Sequence, residues 1–369
     1  MADTCEYLIQ GHEPTTIAVL IGSAASKIGS ADPFLSKTIS LHLPALLPAQ
    51  HVDIEISPLV QAAALVGLGL LHCASGHRLM SEFLLSELSR RTQSDRCDSR
   101  EALLLAAAWA LGMVLLGKGS RSLSSREEIV GSREEAASSP RRSRSNHWGS
   151  SRSADAAYSS DALRGLADLR IEDRLLQQID GGKRVSSNSP LFPINSCVDL
   201  SSKSSRVLEG DDINTNITAP GAIIALSLIY IRSNNTEILQ RLRIPQTAVS
   251  LDLLRPDLLV YRAMGLCLVQ WDQVHPSEEW IRGHIPEIIT RAAFPIPSPS
   301  CDPEAHYSRL AANAPELSPK VAFALYLCSM SGFCYGIGIV FAGTADQLAH
   351  KTLMTFLKTL QGYVCDYVT

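Results

Sequence analysis

The pattern of apolar and polar positions changes sharply between residues 62 and 88. Residues 62–71 are apolar or small throughout, with Gly67 and Gly69 two positions apart. A polar break follows at Ser75-Gly76, and apolar side chains then return on one side of an amphipathic run. This order predicts a buried helix, a tight turn and a half-exposed helix. Such a hairpin cannot cover its own apolar first helix, so the pattern also predicts similar hairpins beside it.

Pairs of small residues inside apolar runs recur along the chain. Because two residues at this spacing lie on different sides of a helix, they indicate first helices that pack closely all round. The residues predicted to serve this packing are Gly22, Ala24, Gly67, Gly69, Gly112, Ser227, Gly336 and Gly338, with a weaker copy of the pair at Gly265 and Cys267.

The spacing of these copies predicts the architecture. Ala24 and Gly69 are 45 residues apart, and Gly69 and Gly112 are 43 apart, which lies within the period of helical-pair solenoids. From Gly112 to Ser227 the distance is 115 residues, which leaves room for a large insertion. We therefore expect an all-α fold, an α-solenoid of helical hairpins interrupted by a disordered insertion; an ordinary bundle of Ala-rich helices is the alternative.

Turn and helix-start residues fit the same division of the chain. Seven residues beyond the second small position, turn formers occur in three copies, at Gly76, Gly119 and Asn234. In the first and last copies the turn is predicted earlier, at Gly29 and Gly343. Helix starts are predicted from an N-cap residue before proline at Ser57-Pro58 and Ser318-Pro319, and from the capping-box spacing of Asp98 and Glu101.

Four segments follow from this pattern. They are an N-terminal tail at 1–14, repeats at 15–120, a disordered Ser/Arg-rich insertion at 121–207 and a continuation of the repeats at 208–369. Within the insertion, only 163–179 could form a helix, and we expect that helix to be transient. Ser139, followed by Pro140-Arg141-Arg142, fits the site preferred by proline-directed kinases, so its phosphorylation is a hypothesis and an inert linker is the alternative.

Composition narrows the class of protein. The chain is 46% hydrophobic, 19% charged and 6% aromatic with a net charge of −4, which suits a soluble helical protein and gives no indication of nucleic-acid binding. The cysteines form no CxxC pair, and Cys73, Cys267, Cys328 and Cys334 lie in apolar runs, so we expect buried free thiols. The uncharged run 321–342 is long enough to span a bilayer, but Ser329, Ser331 and Gly332 interrupt it, and a membrane protein is the less favoured class.

Candidate chemical sites are weak. Residues 112–119 have the G-x4-G-K spacing of a P-loop, but Gly119 replaces the Ser or Thr that binds the metal, and the preceding segment predicts a helix instead of a strand. His72 and His77 lack the spacing and companions of a metal site, so His72 is interpreted as a core or groove residue. We expect no catalytic residue, no cofactor, no metal and no small-molecule ligand.

Hairpins of about 40 residues with small-apolar-small-apolar first helices resemble proteasome/cyclosome repeats. Longer strings resemble the largest subunit of the anaphase-promoting complex in the same order along the chain. They are HLPALLP at 42–48, His77-Arg78 with EFLL at 82–85, EGDDIN at 209–214 with Pro-Gly-Ala at 220–222, and Arg-Pro-Asp at 255–257 with Trp271-Asp272 and Pro276 to Trp280.

The resemblance implies an α-solenoid whose repeats form part of a closed ring, and a non-catalytic scaffold in a multisubunit ubiquitin ligase of mitotic exit. It also implies other subunits of that complex as partners, and a location in the nucleus and cytoplasm. Members of the family are far longer, so we expect the chain to be a fragment or a truncated gene model. The alternative is a scaffold subunit of the proteasome regulatory particle, which carries the same repeats.

Overall fold

A computed structural model describes residues 8, 11–47, 56–90, 99–119, 166–182, 213–294 and 317–368, with side chains to residue 362. The described residues form helices, short 3-10 turns and connecting loops, without a strand. They fall into two compact units that meet in sequence at Ser233 and Asn234. The all-α prediction is confirmed.

The first unit contains seven helices among its described residues. They are α1 (Glu13–Ser26), α2 (Pro33–Ser40), α3 (Pro58–Leu71), α4 (Arg78–Ser89), α5 (Arg100–Val114), α6 (Ile171–Asp180) and α7 (Thr215–Ile229). Apolar first helices pack in sequence, α1 against α3, α3 against α5, and α5 against α7. Each second helix packs against the first helix that follows it, so α2 contacts α3, α4 contacts α5, and α6 contacts α7. This is the packing of a helical-repeat array.

Helix α6 corrects the prediction for the insertion. The segment expected to be only transiently helical holds a packed helix, Ile171–Asp180, preceded by a 3-10 turn at Ala167–Leu169. Leu175 and Ile179, four residues apart, are buried, and Thr218 of α7 donates through Oγ1 to the carbonyl oxygen of Gln178 at 2.7 Å. Because α6 packs on α7 as α4 packs on α5, it is the second helix of the repeat that α5 begins. The rest of the predicted disordered insertion, including Ser139, lies outside the described residues.

The second unit contains further helices of both kinds. They are α8 (Thr236–Leu242), α9 (Ala248–Asp252), α10 (Leu258–Val269), α11 (Glu278–His284), α12 (Glu287–Ala293), α13 (Pro319–Val340) and α14 (Gln347–Val368). Helix α10 packs against α13, and α8, α12 and α14 pack against these two first helices. Helices α11 and α12 lie between Cys267 and Gly338, which are 71 residues apart in sequence.

Helix starts differ in how they are capped. Proline occupies the first turn of α3 and α13 as predicted, but the Ser57 and Ser318 side chains make no capping hydrogen bond. Side chains do cap other helices: Asp32 accepts from the backbone N–H of Leu35 at 2.9 Å at the start of α2, and Asn235 caps α8. The pKa of Asp32 is lowered, chiefly by this backbone N–H and then by Lys27.

Helix α13 is the described helix that is long and apolar enough to cross a membrane, and half of its apolar window is buried inside the protein. Gly332, which interrupts the apolar run in the sequence, lies against α10. A Cβ added there would be 2.5 Å from the carbonyl oxygen of Val260. The residue that breaks the membrane-like pattern is therefore a packing residue of the core.

Candidate functional site

The candidate functional site is the interface between successive repeats. To compare its copies, we count positions in each repeat from the second small residue, which is position 0. Position 0 is occupied in order by Ala24, Gly69, Gly112, Ser227, Cys267 and Gly338.

The first small residue of one repeat contacts the second small residue of the repeat before it. A Cβ added to Gly69 would be 2.6 Å from Cα of Ala110, and one added to Gly112 would be 3.0 Å from Cα of Ala225. At Gly69 the clash is with backbone, so a side chain cannot be fitted without moving the helix; at Gly112 an added Cβ would also come within 2.9 Å of Cδ1 of Leu228.

The same contact recurs at two other junctions. A Cβ on Gly67 would be 3.6 Å from Cβ of Ala24, and one on Gly336 would be 2.5 Å from Cβ and Sγ of Cys267. Positions −2 and 0 thus face opposite neighbours, position −2 the preceding repeat and position 0 the following one. The two-residue spacing places close contacts on two sides of each first helix.

Two of the predicted packing residues make no such contact within the part of the chain that the structure describes. Gly22 and Gly338 have no described atom within 4 Å of an added Cβ, and they occupy the backward position of the first described repeat and the forward position of the last. Ser227 is fully buried, and its hydroxyl donates to the carbonyl oxygen of Ile223 at 2.7 Å within α7.

Position −6 adds residues that the sequence analysis missed as packing sites. A Cβ on Gly221 would be 2.7 Å from Cβ of Ala108, and Gly332 packs equally closely on α10. Position −6 is Ala or Gly in five of the six copies, at Ala18, Ala63, Ala106, Gly221 and Gly332. The recurrence of a small residue at position −6 is the signal from which these packing sites could have been predicted.

Backbone hydrogen bonds join the turns of one repeat to the helix end of the next. The N–H at position +5 donates to the carbonyl at position +1 of the following repeat, and the N–H at +7 donates to the carbonyl at +2. Bonds from position +5 join Gly29 to Leu70 (3.0 Å), Ala74 to Met113 (2.8 Å) and Gly117 to Leu228 (3.1 Å). Bonds from position +7 join Ala31 to Leu71 (2.9 Å), Gly76 to Val114 (2.9 Å) and Asn234 to Val269 (3.1 Å). They satisfy carbonyls that a helix end leaves without a partner.

These bonds require left-handed backbone at positions +5 and +7. The sequence predicted earlier turns in the first and last copies, at Gly29 and Gly343. In the structure those turns are not earlier, because both glycines lie at position +5, where the other copies also have positive φ, at Ala74, Gly117 and Arg232. Position +7 is left-handed at Ala31, Gly76, Asn234 and Ala345. The shared turn could not be recognised from the residue types, because alanine and arginine rarely adopt a left-handed backbone. Gly119, predicted as a turn former, instead lies against the ring of Tyr230.

Polar contacts hold the α6 segment to its neighbours. Arg78 of α4 donates from Nη2 to Oδ2 of Asp168 at 2.6 Å and from Nη1 to Oδ1 at 3.3 Å. The hydroxyl of buried Tyr230 donates to Oε2 of Glu172 at 2.7 Å. The hydrogen bond with Arg78 is the main cause of a lowered pKa at Asp168. Glu172 also lies in the first turn of α6, where its negative charge interacts favourably with the helix dipole.

His72 is a core residue, as predicted. It is 4% exposed, its Nε2 lies 3.3 Å from Oγ of Ser36, and its ring centroid is 5.1 Å from that of His77. Burial, and then the charge of His77, lower the pKa of His72. Within the described ranges, no group of three or more His, Cys, Asp or Glu side chains could hold a metal ion.

The P-loop-like segment is a helix end followed by a turn, as expected from its context. Gly112 lies within α5, and Gly117 begins the left-handed turn after it. The predicted thiols are free: Cys267 is buried, and Cys73, Cys328 and Cys334 are half-buried. Burial raises the pKa of Cys267 to about 12 and that of Cys334 to about 11. Both thiols are therefore protonated and unreactive near neutral pH.

Comparison with known proteins shows the family of this chain. The family model described as "APC1 fifth domain" matches residues 33–367. The chain belongs to this family. It is 30% identical over 362 residues to anaphase-promoting complex subunit 1 of Mus musculus, and equally so to that of Homo sapiens. It is also 28% identical over 357 residues to the "Negative regulator of mitosis" of Emericella nidulans.

The matches cover nearly all of this chain and a small part of each relative. The aligned region is 97% of the chain and 16% of the mouse and human anaphase-promoting complex subunits. For the protein of Arabidopsis thaliana, with 30% identity, the values are 96% and 18%. The chain therefore spans about one sixth of the length of the mouse and human proteins that it matches.

Proposed function

We propose that these repeats form part of a non-catalytic scaffold subunit of the anaphase-promoting complex, a multisubunit ubiquitin ligase that controls mitotic progression and exit. The observation that carries the proposal is the repeated interface of small residues and backbone hydrogen bonds. Such an interface fixes the spacing of successive helices with little side-chain freedom, and rigid spacing is what a subunit that positions others requires.

The partners proposed are other subunits of the same complex, bound by protein–protein contacts without nucleic acid, membrane or small-molecule ligand. The names of the relatives support this choice, since most are called subunit 1 of that complex and one is called a negative regulator of mitosis. A location in nucleus and cytoplasm follows as part of the same proposal.

Affinity purification of the tagged full-length gene product, followed by mass spectrometry, tests the proposal. We expect recovery of the other ubiquitin-ligase subunits, and loss of at least part of them in a Gly69→Leu/Gly112→Leu variant whose repeats cannot pack. The control is Gly283→Leu, at an exposed glycine with no atom within 4 Å of an added Cβ. Recovery of proteasome lid and ATPase subunits instead would establish the alternative, and recovery of neither set would refute the scaffold proposal.

A further inference from the structure

Four second helices, α2, α4, α8 and α14, share one capping contact. At position +8 a side chain accepts a hydrogen bond from the backbone N–H at position +11, one of the donors that a helix start leaves without an intrahelical partner. The pairs are Asp32 with Leu35 (2.9 Å), His77 with Met80 (3.3 Å), Asn235 with Ile238 (3.1 Å) and Asp346 with Ala349 (2.7 Å). Among these four helices, α4 is the one whose cap is an imidazole.

The imidazole can make this contact only while it is neutral. The atom that accepts from Met80 is Nδ1 of His77, and in an imidazolium both ring nitrogens carry a proton and donate. An asparagine amide accepts at every pH, and an aspartate carboxylate accepts until it is protonated at about pH 4. Histidine changes its charge between about pH 5 and 8, so among the four caps that of α4 alone responds in this range.

Two histidines meet at this turn, and His77 is the one that is open to protons from solvent. The ring centroids of His72 and His77 are 5.1 Å apart, but His77 is exposed whereas His72 is 4% exposed. Burial lowers the pKa of His72, so that ring stays neutral when the pH first falls. The charged or titratable groups of the elements around the two rings are Lys27, Asp32, Cys73, Arg78, Glu82, Lys118 beside Gly76, and Asp168.

The first turn of α4 also carries a contact to the next repeat. Arg78 follows His77 directly and donates to the two carboxylate oxygens of Asp168, at 2.6 Å and 3.3 Å, just before α6. Because the hydrogen bond from Arg78 lowers the pKa of Asp168, this carboxylate stays charged when a histidine takes up a proton. Between pH 7.5 and 5.5 the ion pair therefore depends on where the first turn of α4 holds Arg78, and not on titration of its own members.

We propose that His77 is an acid-sensitive cap built into the junction between two repeats. Neutral His77 holds the first turn of α4 and, through Arg78, the start of the α6 segment. Protonated His77 releases the N–H of Met80, so this turn frays and the contact of Arg78 with Asp168 loosens. The device goes beyond the scaffold role and does not depend on it, because it concerns the packing of the repeats whatever the array binds.

Hydrogen exchange of the full chain at pH 7.5 and 5.5 tests the proposal. Each rate is divided into the intrinsic rate of an unstructured peptide at the same pH, which gives a protection factor free of the pH dependence of exchange itself. We expect protection at Met80 and Ser81 to fall roughly fivefold at the lower pH, the effect of losing an N-cap, and protection at Leu169 to fall with it. Ile238 and Leu239, at the same positions of α8 behind the Asn235 cap, are the internal control and should not change.

Three variants assign the response to one ring. His77→Asn, which copies the cap of α8, should keep protection high at both pH values, and His77→Ala should leave it low at both. His72→Gln should preserve the response, because His72 is not the cap. Protection independent of pH in the unchanged chain would overturn the proposal, as would a response that persists in His77→Asn or disappears in His72→Gln. A response at Met80 without one at Leu169 would overturn the link to the α6 segment.

Discussion

At the residue scale, the side chain that is missing at position −2 or 0 determines how close two helices come. At Gly69, Cα of Ala110 on the next helix occupies the space that a Cβ would fill, and at Gly112 an added Cβ would be crowded by Leu228 and by Cα of Ala225. Glycine within a helix is otherwise unfavourable, by roughly 0.5–1 kcal/mol relative to alanine. These glycines therefore exchange local helix stability for tight packing between repeats.

A matched pair of substitutions separates these two effects. We expect Gly69→Ala to lower the free energy of unfolding by about 1–3 kcal/mol through overpacking against Ala110. Gly22→Ala, in open space on helix α1, should raise it by roughly 0.5–1 kcal/mol through helix propensity. Urea unfolding of both variants gives the comparison, and equal signs for the two changes would contradict the packing role of Gly69.

His72 makes stability depend on pH. Its folded-state pKa lies below the ordinary value of 6.5 because burial disfavours the charged ring. The unfolded chain therefore takes up the proton more readily, and the free energy of unfolding should fall as pH drops below about 6.5 and be fully restored above it.

Urea unfolding at pH 7.5 and 5.5 measures this dependence. In His72→Gln the difference between the two pH values should shrink, whereas His350→Gln, at an exposed histidine, should leave it unchanged. A dependence on pH that survives the His72 substitution would place its origin elsewhere.

At the element scale, α6 is the least expected part of the first unit. It completes the third repeat, although residues 115–170 separate it in sequence from α5, with which it forms a pair. Two buried apolar residues and contacts from Arg78, Thr218 and Tyr230 hold it. The ion pair of Arg78 with Asp168 is exposed, so the buried side chains account for most of the stabilisation.

Substitution of Leu175 should release α6. Leu175 is 0% exposed, and Leu175→Ala should destabilise the docked helix by about 2–5 kcal/mol. Limited proteolysis would detect this as faster cleavage within 166–182. The exposed Asp173→Ala on the same helix is the control, and equal cleavage rates in the two variants would refute the docking of α6 through its apolar side.

At the scale of the whole molecule, stability should be local, because each repeat contacts chiefly its neighbours. In the first unit each first helix packs on the next, α1 on α3, α3 on α5 and α5 on α7, and in the second unit α10 packs on α13. A defect at one junction is therefore expected to loosen the adjoining helices first.

Hydrogen exchange of a Gly69→Leu variant tests this locality. Exchange should increase about tenfold or more in α3 and α5, whose junction is disrupted, and remain nearly unchanged in α10 and α13 of the second unit. The matched Gly283→Leu variant should show neither change. A uniform increase across both units would indicate a single cooperative unit instead of a repeat array.

Much of the fold could be predicted from the sequence because the signals are local and repeated. The apolar first helices, their spacing of 43 and 45 residues, and the small pairs such as Gly67 and Gly69 depend only on side chains present in each segment. Helical periodicity and repeat length are properties of the chain itself, so the all-α repeat architecture was accessible without coordinates.

Only the tertiary structure decided which neighbouring repeat each small residue contacts, where the left-handed turn residues lie, and that α6 is a stable helix. That position −2 faces backward and position 0 forward depends on which neighbour each helix side meets. Ala74 adopts a left-handed backbone because its N–H bonds a carbonyl of the next helix, and Leu175 makes a stable helix because α7 buries it. Both depend on residues distant in sequence, whose free energy of packing and hydrogen bonding overrides local preference.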